Sequence, residues 1–292
     1  MKDALKSDFF EAVIKNSIAA NAIVLDYKPL GGGCINDAHK VVTSKGNFFV
    51  KYNINQSLDF FQKEFNGLQL LESKKIFPIP KPIAAAVMND IPYIILENID
   101  TGRPSKNYWQ NFGANLAKLH KITTQKYGFH ENNYIGSLPQ YNSWEQDWTT
   151  FFIEYRLKKQ IEAAKNNKII GIDVMEKFEK LYSKLPEIIT TEPPSLLHGD
   201  LWSGNTLVND AGEACLIDPA VYYGHREAEL AFTRLFGGFH DTFYASYQSL
   251  YPLHKGYLER FDIYNLYPLL VHVNIFGGSY LKSVLQIVGK YV

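Results

Sequence analysis

Cysteine is scarce in this 292-residue chain: Cys34 and Cys215 are the two present. That excludes a disulfide framework and points to a reducing compartment. Charge of one sign is not in excess, since Lys plus Arg and Asp plus Glu number 30 each. Nothing therefore draws the chain electrostatically to nucleic acid or to an anionic membrane surface. No apolar run is long enough to cross a bilayer. The opening MKDALKSDFFEAVIKNS is broken by charges and lacks the apolar stretch of a secretory signal, so a cytoplasmic location is expected. Internal repeats and low-complexity segments are missing too. So are the GK[ST] of a Walker loop and the G-x-G-x-x-G of protein kinases. What the chain does have is apolar weight, 46% hydrophobic and 14% aromatic. That is enough for a packed globule of two lobes or one large domain.

The chemistry concentrates in SLLHGDLWSGNTLVNDAGEACLIDPA, residues 195–220. An apolar strand end breaks into a polar loop from His198 to Asn205. A hairpin follows, and its second strand delivers Asp218. Asp, Asn and Gly are ordinary turn formers one at a time. Together, HGD-x4-N and a hydrophobic strand ending in Asp match the needs of phosphoryl transfer from a nucleotide. One carboxylate, Asp200, takes the hydroxyl proton; the oxygens of Asn205 and Asp218 hold Mg²⁺ on the phosphates.

Upstream, Phe9, Phe10, Val13, Ile14 and Ile18 recur at helical spacing and predict an amphipathic helix. Strands are expected near 23–29, 38–43 and 47–52. Between the first two, Gly31, Gly32 and Gly33 leave backbone N–H groups open to phosphates, although a plain hairpin turn reads the same way. Cys34 follows them, in a loop whose amides favour a thiolate. Oxidation there, or linkage of two chains into a dimer, is one reading; an inert small residue is the other. Cys215, in an apolar strand, reads as core. Lys51 ends the strand FFVK. In the next helix, 58–73, Phe61, Phe65, Leu68 and Leu71 form the apolar face and Glu64 falls on it. A carboxylate there needs a partner. Lys51 is the natural one, the alternative being a lysine on the surface. A proline run at 77–82 is extended. A buried strand at 92–97 then leads to a hinge at 97–102, where backbone groups of Glu97, Asn98 and Ile99 would meet an adenine edge.

Further helices are expected at 108–121, from 143, and at 173–185, the last stopped by Pro186. Another, at 267–280, carries His272. Glu227, Glu229 and Arg234 are expected to make structural contacts beneath the active loop.

These residues make the chain resemble the fructosamine kinase, or ketosamine 3-kinase, family, related to aminoglycoside phosphotransferases and choline kinases. Lys51, Glu64, Asp200, Asn205 and Asp218 are the general superfamily pattern. LLHGDLWSGN, DPAVYYGHREAELAFTRLFGGF, YGFHENNYIGSLPQYNSWEQDWTTFF and GGGCIN carry the narrower likeness, over about residues 30–280. The family usually reads DREADLA where this chain has His225 and Glu229. The resemblance implies an α+β, two-lobe protein-kinase-like fold. Its N-terminal lobe, 1–99, is a small, mostly antiparallel sheet with one key helix; its C-terminal lobe, 103–292, is larger and mainly helical. It also implies ATP- and Mg²⁺-dependent phosphorylation of the sugar 3-hydroxyl of small or protein-bound ketosamines, a deglycation activity. Asp200 would be the base, with Asn205 and Asp218 on Mg²⁺. Lys51, held by Glu64, would grip the phosphates under Gly31 to Gly33. Trp202 would stack on the sugar, and His272 would bond a substrate hydroxyl. The alternatives are an aminoglycoside or choline phosphotransferase and a nucleotide-binding scaffold. No acidic cluster near the C-terminus favours the first, and the intact Lys51, Asp200 and Asp218 speak against the second. No APE-type segment follows Asp218, as a protein kinase would require.

Overall fold

The computed structural model describes residues 3–31 and 36–292. Gly32, Gly33 and Cys34, and with them most of the glycine-loop reading and the redox reading, lie outside the described residues. The chain forms two compact units.

In the first unit, α1 (Asp3–Ser17) precedes β1 (Val24–Pro29), β2 (Asp37–Thr43) and β3 (Gly46–Tyr52). Then come α2 (Leu58–Ser73), β4 (Pro82–Met88) and β5 (Ile91–Glu97). The strands form one antiparallel sheet in the order β1-β2-β3-β5-β4. Alternation in β2 turns His39, Val41 and Thr43 inward. Phe9, Phe10, Val13 and Ile14 of α1 pack with Val41, Val50, Tyr52, Tyr93 and Ile95 as the core. Each such side chain contributes roughly 1.5–3 kcal/mol on burial. Ser57 caps α2, its hydroxyl accepting from Phe60 N. On the buried face of α2 lie Phe61, Glu64, Leu68 and Leu71, whereas Phe65 is half-buried.

The second unit begins with α3 (Tyr108–His120), β6 (Asn133–Ile135), β7 (Leu138–Gln140) and α4 (Trp148–Phe152). Asp147 caps α4, accepting from Thr150 N, so the helix expected from 143 starts five residues later. A π-turn at Ile153–Leu157 then carries the chain into α5 (Lys158–Asn166). The turn holds the fully buried Arg156, whose guanidinium bonds Asn142 Oδ1 at 2.8 Å and lies over the Tyr222 ring. Next, α6 (Ile172–Ile188) runs through Pro186, which does not stop it. The proline removes one hydrogen-bond donor, and the helix ends two residues after it, at Ile188. β8 (Ser195–Leu197) follows.

β9 (Thr206–Val208) and β10 (Ala214–Leu216) form an antiparallel hairpin that belongs to the first unit. Backbone bonds tie it there: Gly102 N to Val208 O, Ser105 N to Gly212 O, and Leu216 N to Pro78 O, at 3.0–3.2 Å. A single cut at 97–102 cannot separate the units for this reason. The first extends to Lys106 and includes Thr206–Asp218. The rest of the second unit is β11 (Tyr222–Gly224), antiparallel to β8, then α7 (Arg226–Leu235), α8 (Asp241–Leu250), α9 (Tyr257–Phe276) and α10 (Leu281–Val288). α9 starts ten residues before the expected 267 and ends at Gly277, whose φ of +89° suits glycine and halts the helix short of 280.

Candidate active site

In the first unit, Lys51 and Glu64 meet as the strand end and the helix face require. Lys51 Nζ donates to both Glu64 oxygens at 3.0 Å and to Asp218 Oδ1 at 3.0 Å. Burial works against the lysine's charge, but the two carboxylates outweigh it and raise its pKa. Burial likewise pushes the Glu64 carboxyl up, against the pull of Lys51. Asp218 is the exposed member, its side chain 42% accessible, while Lys51 and Glu64 are buried. Its φ is +52°, a left-handed conformation that Asp adopts more readily than most residues. That turn follows β10 and directs the carboxylate to Lys51.

In the second unit, β8 ends at Leu197 and the chain turns at Gly199, with φ +86°. A Cβ there would lie 1.9 Å from Ala220 O, so glycine is required twice over. The turn rests on Glu229 of α7, which accepts from Gly199 N at 2.7 Å and His198 N at 3.2 Å. The other donor to Glu229 is His120 Nε2 at 2.9 Å, and His120 Nδ1 meets the Tyr247 hydroxyl at 2.8 Å. Burial would raise the Glu229 carboxyl, but the His120 hydrogen bond and charge, His198 and the Gly199 N–H hold it below its ordinary value. Beyond the turn, Asn205 Nδ2 donates to both the backbone oxygen and Oδ2 of Asp200 at 2.8 Å. One amide thereby fixes the rotamer of the candidate base. A second anchor holds the chain after Asp218: Gln140 Nε2 donates to Ala220 O and accepts, at Oε1, from the Tyr267 hydroxyl.

No cluster of three or more His, Cys, Asp or Glu side chains suited to a metal occurs among the described residues. Mg²⁺ does not need one, because it keeps waters and phosphate oxygens and takes one or two protein ligands. The half-exposed Asp218 carboxylate fits that mode, as does Asn205, whose Nδ2 is engaged and whose Oδ1 is an acceptor.

The fructosamine kinase family model matches residues 8–292. The chain belongs to the fructosamine kinase family. It is 37% identical to a protein named probable ketoamine kinase of Enterococcus faecium, over 90% of this chain and 94% of that one. Against the chloroplastic protein-ribulosamine 3-kinase of Arabidopsis thaliana it is again 37% identical, covering 90% and 81%. A crystal structure from Haemophilus somnus superposes with a TM-score of 0.87 at 27% identity, covering 97% of this chain and 96% of that one. The aminoglycoside phosphotransferase APH(4)-Ia superposes at 0.61 with 14% identity, over 99% of both chains, a likeness of fold. The two-lobe kinase-like fold class follows from these neighbours, with an antiparallel sheet in one unit and helices dominating the other.

In this fructosamine kinase family member, the Trp202-Ser203-Gly204 insert has its own geometry. Trp202 folds back over Gly204, where a Cβ would come within 2.3 Å of the indole, and meets Phe236 edge-on at 6.0 Å. His272 lines the same recess as Asp200. Its Nδ1 is bonded to Pro268 O at 2.8 Å, and burial lowers its pKa, which favours a neutral ring. In the first unit, Glu97 N already bonds Lys81 O at 2.9 Å, and Asn98 Nδ2 bonds Asp100 Oδ1. Asn98 and Ile99 lie beyond the strand ladder, and Gly31 is exposed with open space about its Cα. His120 went unread as a site residue. It falls four after Leu116 on the apolar face of α3, the same sign that singled out Glu64. Cys215 is buried in β10, as expected, and burial pushes its thiol up to about 12.

Proposed function

We propose that this protein is an ATP-dependent kinase that phosphorylates the sugar 3-hydroxyl of ketosamines. The product destabilises the sugar–amine linkage and frees the amine. The observation that carries the reading is the double hydrogen bond from Asn205 to Asp200, which presents a fixed carboxylate to an incoming hydroxyl. Asp200 takes the hydroxyl proton. Lys51, aligned by Glu64, binds the nucleotide phosphates, and Gly31 to Gly33 cover them. Backbone groups of Glu97 to Ile99 take the adenine edge. Asp218 and the Asn205 amide oxygen would hold Mg²⁺, which would neutralise charge on the phosphates. Trp202 stacks on the sugar, and the Nε2 of His272 accepts from a substrate hydroxyl. Since phosphoryl transfer asks little covalent chemistry of the protein, alignment and charge supply the acceleration. The scarcity of cysteine supports a reducing, cytoplasmic setting. Among the described residues no helix is long and apolar enough to cross a membrane.

The test is ADP release with Mg-ATP and ribulosyl-, erythrulosyl- and fructosyl-lysine, with the phosphorylation site read by NMR. Turnover with a 3-phosphate product, lowered by roughly 10²–10⁴-fold in Asp200→Asn, is the expected result. Turnover on an aminoglycoside or choline alone would replace the proposal.

A further inference from the structure

Phe236, at the end of α7, is 39% exposed, and Phe276, the last residue of α9, is 49% exposed. A single exposed aromatic is unremarkable. These two belong to a continuous surface. Phe236 and His272 have ring centroids 4.8 Å apart, His272 and Phe276 5.5 Å, and His272 and Tyr280 5.0 Å. Trp202 extends the row through Phe236 at 6.0 Å. One end of the aromatic row is therefore in the loop between Asp200 and Asn205. The loop after α7 is also pressed onto that insert, because a Cβ on Gly238 would lie 2.8 Å from Ser203 Cβ. All of these residues belong to the second unit.

The recess that Asp200 and His272 share opens to the surface. A ketosamine whose sugar reaches Asp200 there meets the rings that flank His272 on the open side. Its sugar carries hydroxyls. Its other half is a secondary amine, protonated near neutral pH, bearing whatever the amine was attached to. A ring face attracts an ammonium ion and packs flat against aliphatic or aromatic carbon. The aromatic row has no acidic member, so it matches one ammonium with an apolar arm better than the several ammonium groups of an aminoglycoside.

We infer that Phe236, Phe276 and Tyr280, which flank His272, form the subsite for the amine-bearing arm of the substrate, and that they select arms with apolar carbon next to the ammonium. This inference rests on the ketosamine reading proposed above. Trp202 takes the sugar face, and the row beyond it takes the arm, with Phe276 farthest out.

The experiment compares two ketosamines that share one ribulose sugar, one made with benzylamine and the other with ethanolamine. The ratio of their kcat/KM values is measured in the wild type, Phe236→Ala, Phe276→Ala and the control Leu258→Ala, whose side chain is exposed elsewhere on α9. The wild type is expected to favour the benzyl arm by about tenfold, the scale of one well-packed aromatic contact. Each phenylalanine variant should bring the ratio towards unity while Leu258→Ala keeps it, with melting temperatures confirming that all variants fold. An equal ratio in the wild type, or a ratio that survives both phenylalanine substitutions, overturns the arm subsite and leaves the ketosamine reading standing. No turnover of either compound by the wild type overturns both.

Discussion

Replacing Glu229 by Gln asks whether a charge, and not just a side chain of that size, holds the turn before Asp200. The carboxylate is fully buried and accepts three N–H groups, from Gly199 and His198 at 2.7 and 3.2 Å and from His120 at 2.9 Å. An amide of the same shape has one acceptor oxygen where the carboxylate has two. That oxygen can keep the Gly199 bond. The NH₂ group then faces the His198 N–H, donor against donor, and meets His120 only if the imidazole presents a lone pair at Nε2. One buried N–H thus loses its partner, at about 1–3 kcal/mol. The remaining bonds change from charge-assisted to neutral, at roughly another 1 kcal/mol. The sum of about 2–4 kcal/mol corresponds to a melting temperature lower by roughly 5–10 °C for a chain of this size. Loosening the turn also frees the backbone of Asp200, so kcat should fall by about tenfold or more, about 1.4 kcal/mol of lost alignment. Thermal unfolding and steady-state kinetics with Mg-ATP measure both. Glu229→Ala, which leaves all three donors buried and unpaired, should lose about 3–5 kcal/mol. A Gln variant that melts with the parent and turns over at its rate would refute the reasoning.

Four further outcomes are expected. His225 caps α7 by accepting Glu227 N at Nδ1 and donates Nε2–H to Thr190 O, an arrangement that needs a neutral ring. Burial chiefly pulls its pKa down to about 4. The unfolded chain binds a proton below about pH 6.5 that the fold refuses, so stability is complete above that pH and falls by about 3 kcal/mol towards pH 4. Urea melts across this range should show the slope, and His225→Asn, which keeps a cap without titrating, should flatten it. Lys51→Met leaves Glu64 and Asp218 without their ammonium and should destabilise by about 3–5 kcal/mol. Adding Glu64→Gln should restore part of that stability, but not activity, in the same denaturation and turnover assays. Gly199→Ala, strained by φ +86° and by the 1.9 Å approach to Ala220 O, should yield protein that is insoluble or melts far below the parent. Asn205→Ala should lower kcat by roughly 10²-fold and raise the Mg²⁺ concentration for half-maximal rate, both readable from an Mg²⁺ titration.

Part of the site's geometry is legible in the sequence because it lies on short-range patterns. Lys51 and Glu64 were paired from a strand end and a helical face, and the two side chains meet. The HGD-x4-N spacing marks the polar loop that carries Asp200 and Asn205, whereas the bond from Asn205 back to Asp200 is seen only in the structure. Helix limits were read less well. Pro186 marks the last turn of α6 but not its end, which comes at Ile188, and Gly277, not the sequence pattern to 280, ends α9. Glu229 lies beneath the loop as its sequence position suggests, accepting from Gly199 N and His198 N, but its partners His120 and Tyr247 are not legible in the sequence. His120, Glu229 and Tyr247 come from three helices, with His120 separated from the others by 109 and 127 residues. No local periodicity pairs such residues; tertiary packing does. The same holds for the hairpin Thr206–Leu216, whose place in the first unit depends on hydrogen bonds to Pro78, Gly102 and Ser105.

The most direct test of the account is the position of the transferred phosphate. Wild-type protein incubated with Mg-[γ-³²P]ATP and ribulosyl-lysine should label the sugar at its 3-hydroxyl; elimination of inorganic phosphate from C3 and hydrolysis of the remaining imine should then release lysine, and Asp200→Asn should do neither. Labelling at any other hydroxyl, or labelling of an aminoglycoside with the ketosamines untouched, would contradict it.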